Sequence, residues 1–246
     1  MNILYAVRDF FFPPICPGCH DVFAVKYGEN NELCSECVKK WELLKATVCP
    51  DCGERFSACL CAPKKLSSAG VSALIKLVPY RSRRAVSNKV ILYLKKNRES
   101  RVVDFVADQL AYELERYVKK LGIRKDSAVI AYCPRRRSAI NRIGFDQARL
   151  ISLALGKRTD IAVADVLKRK SAFSRAQKKL DATKREKNVR GMFYIESADE
   201  IKAKTVFLLD DLVTTGATMS ECARLLKKNG AALVVGVSAA YTEKTE

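Results

Sequence analysis

The chain has 246 residues, 48% of them hydrophobic, and carries 45 Lys and Arg against 27 Asp and Glu. This is ordinary for a globular protein with one good-sized domain and a small appendage, and no apolar run is long enough to span a bilayer. Residues 1–62 hold 6 Lys and Arg against 8 Asp and Glu, whereas residues 63–246 hold 39 against 19. The positive charge of the second part predicts an attraction for polyanions, without indicating which.

The first predicted element is a short apolar segment, residues 1–12. Arg8 and Asp9 interrupt it, and it has neither a basic leader nor a small-residue cleavage site. We therefore interpret it as a docking helix and not as a signal peptide. Its apolar face would comprise Ile3, Leu4, Val7, Phe10 and Phe11.

Four closely spaced cysteine pairs dominate the first quarter of the chain and account for eight of its ten cysteines. Two thiolates separated by two residues can reach one ion from a tight turn, and two such pairs make the closed tetrahedral site of structural zinc. Disulfides are the alternative, but nothing in the sequence indicates export, and reduced cysteines are the rule in the cytosol. We therefore predict a cytoplasmic protein with structural zinc.

Pairing the cysteines in sequence order gives two metal sites and resembles a double zinc ribbon, with a cross-braced pairing as the alternative. The first site comprises Cys16, Cys19, Cys34 and Cys37, and the second comprises Cys49, Cys52, Cys59 and Cys61. Only one residue separates the last pair, so the second site is the weaker prediction and we expect one or two ions. So small a module has too little core to fold without metal. We expect Trp41 to pack against it and the module to dock a protein partner.

A stretch rich in proline, lysine and serine, residues 62–68, is typical of a linker. It places the expected boundary between a module of residues 1–62 and a domain of residues 63–246. Beyond it, the hydrophobic pattern predicts one strand or hairpin and two amphipathic helices, at residues 71–80, 87–96 and 102–121.

An apolar strand at residues 128–133 runs directly into Pro134 and three consecutive arginines. Basic side chains at the end of a strand are well placed to bind an anion, and a basic surface loop is the alternative. The three residues are Arg135, Arg136 and Arg137.

The stretch of residues 205–218 combines an apolar run, two acids and a hydroxyl-rich loop. Residues 206–209 predict a strand buried on both faces of a parallel sheet, and Asp210 and Asp211 follow at its carboxyl end, where open α/β sheets bind ligands. The loop leads into a helical pattern at residues 219–228, so its backbone N–H groups and hydroxyls predict a phosphate cradle. The loop comprises Val213, Thr214, Thr215, Gly216, Ala217 and Thr218.

These residues resemble the signature of type I phosphoribosyltransferases. The resemblance implies an α/β fold, with a parallel sheet flanked by helices. It also implies that Asp210 and Asp211 hold the ribose hydroxyls of phosphoribosyl pyrophosphate while the loop holds its 5-phosphate. A last apolar strand at residues 233–239 fits the alternation of strand and helix. Purine-salvage members carry a third acid where this chain has Thr214, and a threonine hydroxyl cannot act as a general base near neutral pH.

The chain is also similar to the ComF family, in which a proline is followed at a set distance by Arg-Gly-Phe-Asn-Gln at the start of a helix. Pro134 and Gly144 keep that spacing, whereas Ile143 and Asp146 replace the family's arginine and asparagine. Asp146 remains a good helix N-cap. The family's downstream motifs Gln-x-x-Leu and Arg-x-x-Asn-Val are matched at residues 177–180 and 185–189. With the cysteines, the likeness covers essentially the whole chain.

The two resemblances imply a protein that binds phosphoribosyl pyrophosphate with Mg²⁺ and transfers the phosphoribosyl group to an unidentified acceptor, in connection with competence and DNA uptake. The metal and a set of arginines would take the pyrophosphate, namely Arg135, Arg136, Arg137, Arg142 and Arg185. The alternative is a non-catalytic scaffold that binds a nucleotide or DNA. Residues 168–190, with ten Lys and Arg, would form a solvated helix, a lid over pyrophosphate or a patch that faces nucleic acid.

Overall fold

The computed structural model describes residues 13–23, 32–81, 84–98, 100–170 and 190–243. The docking helix expected at residues 1–12 lies outside these ranges, as do Arg185 and the two downstream motifs around it. Among the helices that are described, none combines the length and the apolar character needed to cross a bilayer.

The described elements alternate between helices and strands along most of the chain. In order, they are α1 (Ser35–Lys45), α2 (Lys64–Ser67), β1 (Val71–Pro79), α3 (Val86–Lys96), α4 (Ser100–Leu121), a 3₁₀ turn (Lys125–Ser127), β2 (Ala128–Tyr132), α5 (Arg137–Ile143), α6 (Gln147–Thr159), β3 (Leu167–Arg169), β4 (Phe193–Ile195), β5 (Thr205–Val213), α7 (Ala217–Lys228) and β6 (Leu233–Tyr241). The stretch expected to form a strand or hairpin at residues 71–80 is a single strand, β1.

A parallel sheet with the strand order β1-β6-β5-β2 forms the centre of the protein, as predicted. Its strands are buried on both faces because helices cover each side, which explains their continuous apolar runs. Parallel strands share one carboxyl edge. At that edge β2 lies beside β5, with Tyr132 paired to Leu209 and the amide of Cys133 donating to the carbonyl of Leu209 at 2.8 Å. The arginines that follow β2 are therefore adjacent to the acids of β5.

Strand β5 is longer than the sequence predicts. The expected strand covered residues 206–209, but the ladder continues, with Asp210 paired to Ser238 and Leu212 paired to Ala240. The neighbouring strand β6 supplies backbone partners as far as Tyr241, so the chain stays extended through both acids. Because side chains alternate along a strand, Asp210 and Asp211 point to opposite faces of the sheet.

The cysteine module packs directly on the sheet domain. Trp41 is fully buried, and its ring meets that of Phe105 on α4 edge to face, with 5.3 Å between centroids. Trp41 belongs to one buried cluster with Cys16 and Cys37, so it packs against the module as expected and also fills the contact between module and domain. The amide of Leu74 in β1 also donates to the carbonyl of Leu60 at 3.1 Å, which lays the end of the module alongside the strand.

The segment expected to be a linker contains a turn of helix, α2. Leu66 within it is fully buried, and Ser220 of α7 donates its hydroxyl to the carbonyl of Lys65 at 3.2 Å. Its proline and serine content suggested an exposed connection, but one apolar side chain is enough to anchor the turn beneath the start of α7.

Candidate functional site

A small open pocket of about 40 Å³ lies at the carboxyl end of β5, where the sequence predicts a phosphate cradle. Its lining consists of Asp210, Leu212, Val213, Thr214, Thr215, Gly216, Ala217, Thr218 and Met219. Thr214 and Thr215 are exposed, whereas Val213 is buried in the core, so its side chain packs and only its backbone is available. The structure thus brings the predicted loop residues together around one concave surface at the start of a helix, where the first backbone N–H groups have no partner within the helix. One of them, the amide of Ala217, donates to the hydroxyl of Thr215 at 3.4 Å.

Gly216 shapes the bend between the loop and α7. Its φ of 71° lies in the left-handed region, which glycine adopts without steric cost. A Cβ at this position would also stand 3.1 Å from Cδ2 of Leu66. Glycine at this position therefore allows both the left-handed turn and the close approach of α2. The turn in its backbone sets the direction in which α7 begins.

The two adjacent acids have different surroundings. Asp210 lines the pocket, and burial, followed by the nearby charge of Asp211, raises its pKa well above the usual range. Asp211 lies on the other face, where its carboxylate is 3.7 Å from the ammonium of Lys95 on α3. A ligand that uses both acids must therefore approach the edge of the sheet and reach over the strand from one face to the other.

Asp146 adds a third carboxylate to this edge. Its side chain accepts hydrogen bonds from the amides of Ala148 at 3.0 Å and Arg149 at 3.4 Å, which confirms it as the N-cap of α6. It also accepts from the amide of Arg135 at 2.9 Å. Burial raises its pKa, and the charge of Asp211 acts in the same direction. The sequence identified the cap but gave no signal that the cap lies beside the acids of β5.

The predicted arginines are divided between two environments. The guanidinium of Arg135 is half-buried and donates to Oε1 of Gln147, whose own amide donates to the carbonyl of Leu94 at 3.1 Å. The others extend into solvent, with Arg136 immediately before α5, and Arg137 and Arg142 within it. The expected loop after β2 is therefore partly helical, and it presents its basic side chains along a short helix. Arg185 lies outside the described residues.

One further arginine reaches the same region without having been singled out from the sequence. Arg169 ends β3, and its guanidinium lies over the ring of Phe193 at 5.0 Å from the centroid. Burial lowers its pKa, and so does the positive charge of Arg136. The charge of Arg136, at the start of α5, thus acts on Arg169 at the end of β3, and an anion between the two cations would offset their repulsion.

The cysteines form two clusters with the sequential pairing, and the cross-braced alternative does not occur. The clusters are Cys16, Cys19, Cys34, Cys37 and Cys49, Cys52, Cys59, Cys61, and within each the sulfur atoms all lie within 4.8 Å of one another. A tetrahedral ion with Zn–S bonds of about 2.3 Å requires sulfurs about 3.8 Å apart. The Sγ atoms of Cys19 and Cys34 are separated by 3.7 Å, so the donor set fits zinc.

The hydrogen bonds around the first cluster also suit thiolate ligands. Sγ of Cys16 accepts from the amides of Gly18 at 3.4 Å and Cys34 at 3.3 Å. Burial, followed by the side chains of Asp21 and of the neighbouring cysteines, raises the pKa of Cys19 to about 11. A bound divalent cation would instead lower the pKa of its cysteine ligands, because it stabilises the thiolate form. The sulfur atoms of the second cluster also lie within 4.8 Å of one another, despite the shorter spacing of its last pair.

Comparison with known families matches two parts of the chain. Residues 7–67 match the Double zinc ribbon domain, and residues 161–245 match the Phosphoribosyl transferase domain. The matched parts contain both cysteine clusters and the loop at the start of α7. The cysteine clusters and the family match together support Zn²⁺ as a bound metal.

Curated relatives carry names connected with DNA uptake or use. Competence protein F of Haemophilus influenzae is 33% identical over 36% of this chain, but the match spans only 39% of that protein. DNA utilization protein YhgH of Escherichia coli K12 is 25% identical over 82% of this chain and 87% of its own length. Among solved structures, a hypoxanthine phosphoribosyltransferase from Staphylococcus aureus aligns over 55% of this chain and 62% of its own, with 15% identity and a TM-score of 0.33. That likeness is too distant to support an argument about function.

Proposed function

Because the chain is a ComF-family protein, with a double zinc ribbon ahead of a phosphoribosyl transferase domain, we propose that it binds phosphoribosyl pyrophosphate with Mg²⁺ and transfers the phosphoribosyl group to an acceptor. The observation that carries this proposal is the position of Asp210. Its carboxylate lines the same pocket as the loop at the start of α7, on the strand next to the one that leads into the arginines. The residues proposed to bind the sugar, the 5-phosphate and the pyrophosphate therefore share one edge of the sheet.

In this proposal the loop of residues 213–218 restrains the 5-phosphate through backbone N–H groups and the hydroxyls of Thr214 and Thr215. Asp210 and Asp211 bind the ribose hydroxyls, directly or through the metal, and place negative charge beneath the ring. Displacement at C1 of the ribose passes through a cation-like sugar, so this charge stabilises the transition state. The departing pyrophosphate accumulates negative charge, which the arginines after β2, together with Arg169, neutralise.

The oxygen donors at this edge fit Mg²⁺. That ion binds proteins through one or two carboxylates and completes its octahedron with water and phosphate oxygens. Asp210 and Asp211 would hold Mg²⁺ at the edge of the sheet, and the ion would supply positive charge that offsets the charge of the phosphates.

The absence of a third acid in the loop restricts the kind of acceptor. Thr214 stands where purine-salvage enzymes carry a third acid, and its side chain is exposed. Because a threonine hydroxyl cannot take a proton from a nucleobase near neutral pH, we infer an acceptor that needs no base at this position. The reducing conditions that keep zinc-binding cysteines as thiolates lead us to propose that the protein acts in the cytoplasm, in the context of DNA use that its relatives' names suggest.

The same threonine favours a second candidate function. A protein that binds phosphoribosyl pyrophosphate or a nucleotide without transferring anything needs the cradle and the acids but not the base. Such a protein would act as a scaffold or sensor in DNA use. The excess of positive charge on residues 63–246 would then serve contacts with single-stranded DNA, which depend steeply on salt.

Calorimetry and a pyrophosphate-release assay on the full chain separate these functions. Titration with phosphoribosyl pyrophosphate and Mg²⁺ should give heat and raise the melting temperature, and a pool of amine and nucleobase acceptors should then release pyrophosphate. The double variant Asp210→Asn/Asp211→Asn should lose both signals, whereas Asp199→Asn, which changes an exposed acid away from the pocket, should keep them. Binding without release across the pool would support the scaffold, and the absence of binding would overturn both.

A further inference from the structure

Lys76 is a buried cation in the middle of strand β1. Its side chain is only 2% exposed, and the neighbouring strand residues Ile75 and Leu77 belong to the apolar core. Removing an ammonium group from water is costly unless an anion and hydrogen-bond acceptors replace the water. Among the described residues, no carboxylate forms an ion pair with Lys76, so its charge must be balanced in another way.

The described side-chain hydrogen bonds of Lys76 all go to the second cysteine cluster. Its ammonium donates to Sγ of Cys59 at 3.2 Å, to the carbonyl of Cys59 at 3.4 Å and to the carbonyl of Cys61 at 3.2 Å. Two rings flank it, with centroids at 5.3 Å for Phe56 and 5.9 Å for Tyr241. An ammonium has three protons to donate, and the contacts account for all of them at one end of one metal site.

We propose that Lys76 is the charge-balancing partner of the second metal centre and fastens that centre to the sheet. Four thiolates around a divalent ion leave a net charge of two negative units, which is a strong counterion for a buried ammonium. Both clusters have backbone amide donors, from Gly18 and Cys34 to Cys16 and from Cys61 to Cys59. Among the described contacts, a buried ammonium donates to a sulfur of the second cluster only. Loss of the metal from the second cluster would leave Lys76 charged and unmatched inside β1, so metal occupancy there controls the stability of the sheet.

This role is independent of the proposed transferase activity, because Lys76 contacts the cysteine cluster and not the pocket at the start of α7. The contact of Lys76 also strengthens the case for a metal ion at the second cysteine cluster. The short spacing of Cys59 and Cys61 made that site the weaker prediction from sequence. In the structure the carbonyls of Cys59 and Cys61 and the sulfur of Cys59 all accept from the buried ammonium of Lys76. These contacts support a second, firmly held ion.

The first test measures metal release from the full chain with Zn²⁺ and with ¹¹³Cd²⁺ as probes. Lys76→Met should retain one ion and release the other at least about tenfold faster to a chelator, which is the usual lower limit for loss of an outer-shell partner. In the ¹¹³Cd spectrum, one of two resonances should shift, and it should be the one that Cys52→Ser abolishes. Lys39→Met changes an exposed lysine of the same module and should leave both resonances and both release rates as they are.

Lys76→Gln separates charge from hydrogen bonding, because glutamine keeps a donor without the positive charge. If the charge is what matters, Gln should release the second ion nearly as fast as Met. Unchanged release rates and unshifted resonances in Lys76→Met would overturn the proposal.

A ligand substitution gives an answer even if Lys76→Met fails to fold. Cys52→Ser changes an exposed ligand of the second cluster, and Cys19→Ser is the matched change in the first. Hydrogen exchange should rise at the β1 amides around Lys76 in Cys52→Ser and should remain near the wild-type rate in Cys19→Ser. Equal protection of β1 in the two variants would contradict the coupling of the second metal to the sheet.

Discussion

The ammonium of Lys95 lies 3.7 Å from the carboxylate of Asp211. One of the two adjacent acids of β5 is therefore paired with a cation from α3, while the other, Asp210, faces the pocket. With Asp146 beside them, three carboxylates lie near a site proposed to bind an anionic ligand. Lys95 is then a fixed positive charge that offsets their repulsion when no metal is bound.

Lys95→Met should make ligand binding depend more steeply on Mg²⁺. Without the ammonium, the carboxylates repel phosphoribosyl pyrophosphate more strongly, and the metal must supply the missing positive charge. We expect affinity to fall several-fold at low Mg²⁺ and to approach the wild-type value at high Mg²⁺, as measured by calorimetric titration. Lys96→Met, on the exposed side of the same helical turn, is the matched control. A loss that Mg²⁺ does not restore would show that Lys95 acts in some other way.

Single substitutions of the two acids should not be equivalent. Asp210→Asn removes the carboxylate that lines the pocket, so affinity for phosphoribosyl pyrophosphate with Mg²⁺ should fall at least about tenfold, the usual worth of a hydrogen bond to a charged group. Asp211→Asn removes a carboxylate that already has a partner, and it leaves Lys95 available to the ligand. We expect a smaller loss, and calorimetry on both variants checks the order. Equal losses would mean that the ligand replaces Lys95 at Asp211.

Asp146→Asn restores the residue that the ComF family carries. Asparagine can still cap α6 through its carbonyl oxygen, but its amide group cannot accept the hydrogen bond from the amide of Arg135. The free energy of unfolding should fall by about 1 kcal/mol, which denaturant titration measures.

The same substitution should increase affinity for anions, because one negative charge leaves the edge of the sheet. Pyrophosphate binding should therefore tighten while stability declines, a combination that simple damage to the fold does not produce. Weaker pyrophosphate binding in Asp146→Asn would indicate that the carboxylate itself holds the metal or the ligand.

Gly216→Ala should disturb the loop at the start of α7. A left-handed φ costs about 1–2 kcal/mol for a residue with a Cβ, and here the added methyl would also meet Leu66. For a chain of this size that corresponds to a fall in melting temperature of about 2–8 °C, with a loss of affinity for phosphoribosyl pyrophosphate. Gly122→Ala has a similar φ of 61° but nothing within 4 Å of the added carbon. It should be destabilised by the φ alone and should bind normally.

Features that depend on short stretches of sequence could be predicted. The cysteine pairs, the apolar strands and the cap at Asp146 each depend on neighbours a few residues away, and the structure has all of them. The length of β5 could not be predicted, because the extension through Asp210 requires a partner strand, β6, that the local pattern does not contain.

The missed contacts of the site join distant parts of the chain. Lys95 and Asp211 form an ion pair although more than a hundred residues separate them in the sequence. The sequence of the amphipathic helix does not indicate which of its lysines forms such a pair. Arg169 lies in the basic stretch of residues 168–190, where one arginine is not distinguishable from its neighbours, so the sequence does not indicate its contact with Phe193. Lys76 shows the same limit of sequence patterns. A lysine within an apolar strand is visibly unusual in the sequence, but the sequence does not indicate that its partner is Cys59.

The hydrogen bond from Leu74 to Leu60 has a practical consequence for anyone who divides the protein. In the order β1-β6-β5-β2, β1 is an outer strand of the sheet, and the end of the cysteine module occupies part of its free margin. A fragment that begins after the module would leave those backbone groups open to a second copy of itself, and strands left open in this way promote aggregation. Expression trials of the sheet domain alone should therefore yield insoluble or self-associated material, and retaining the module should restore a well-behaved monomeric sheet.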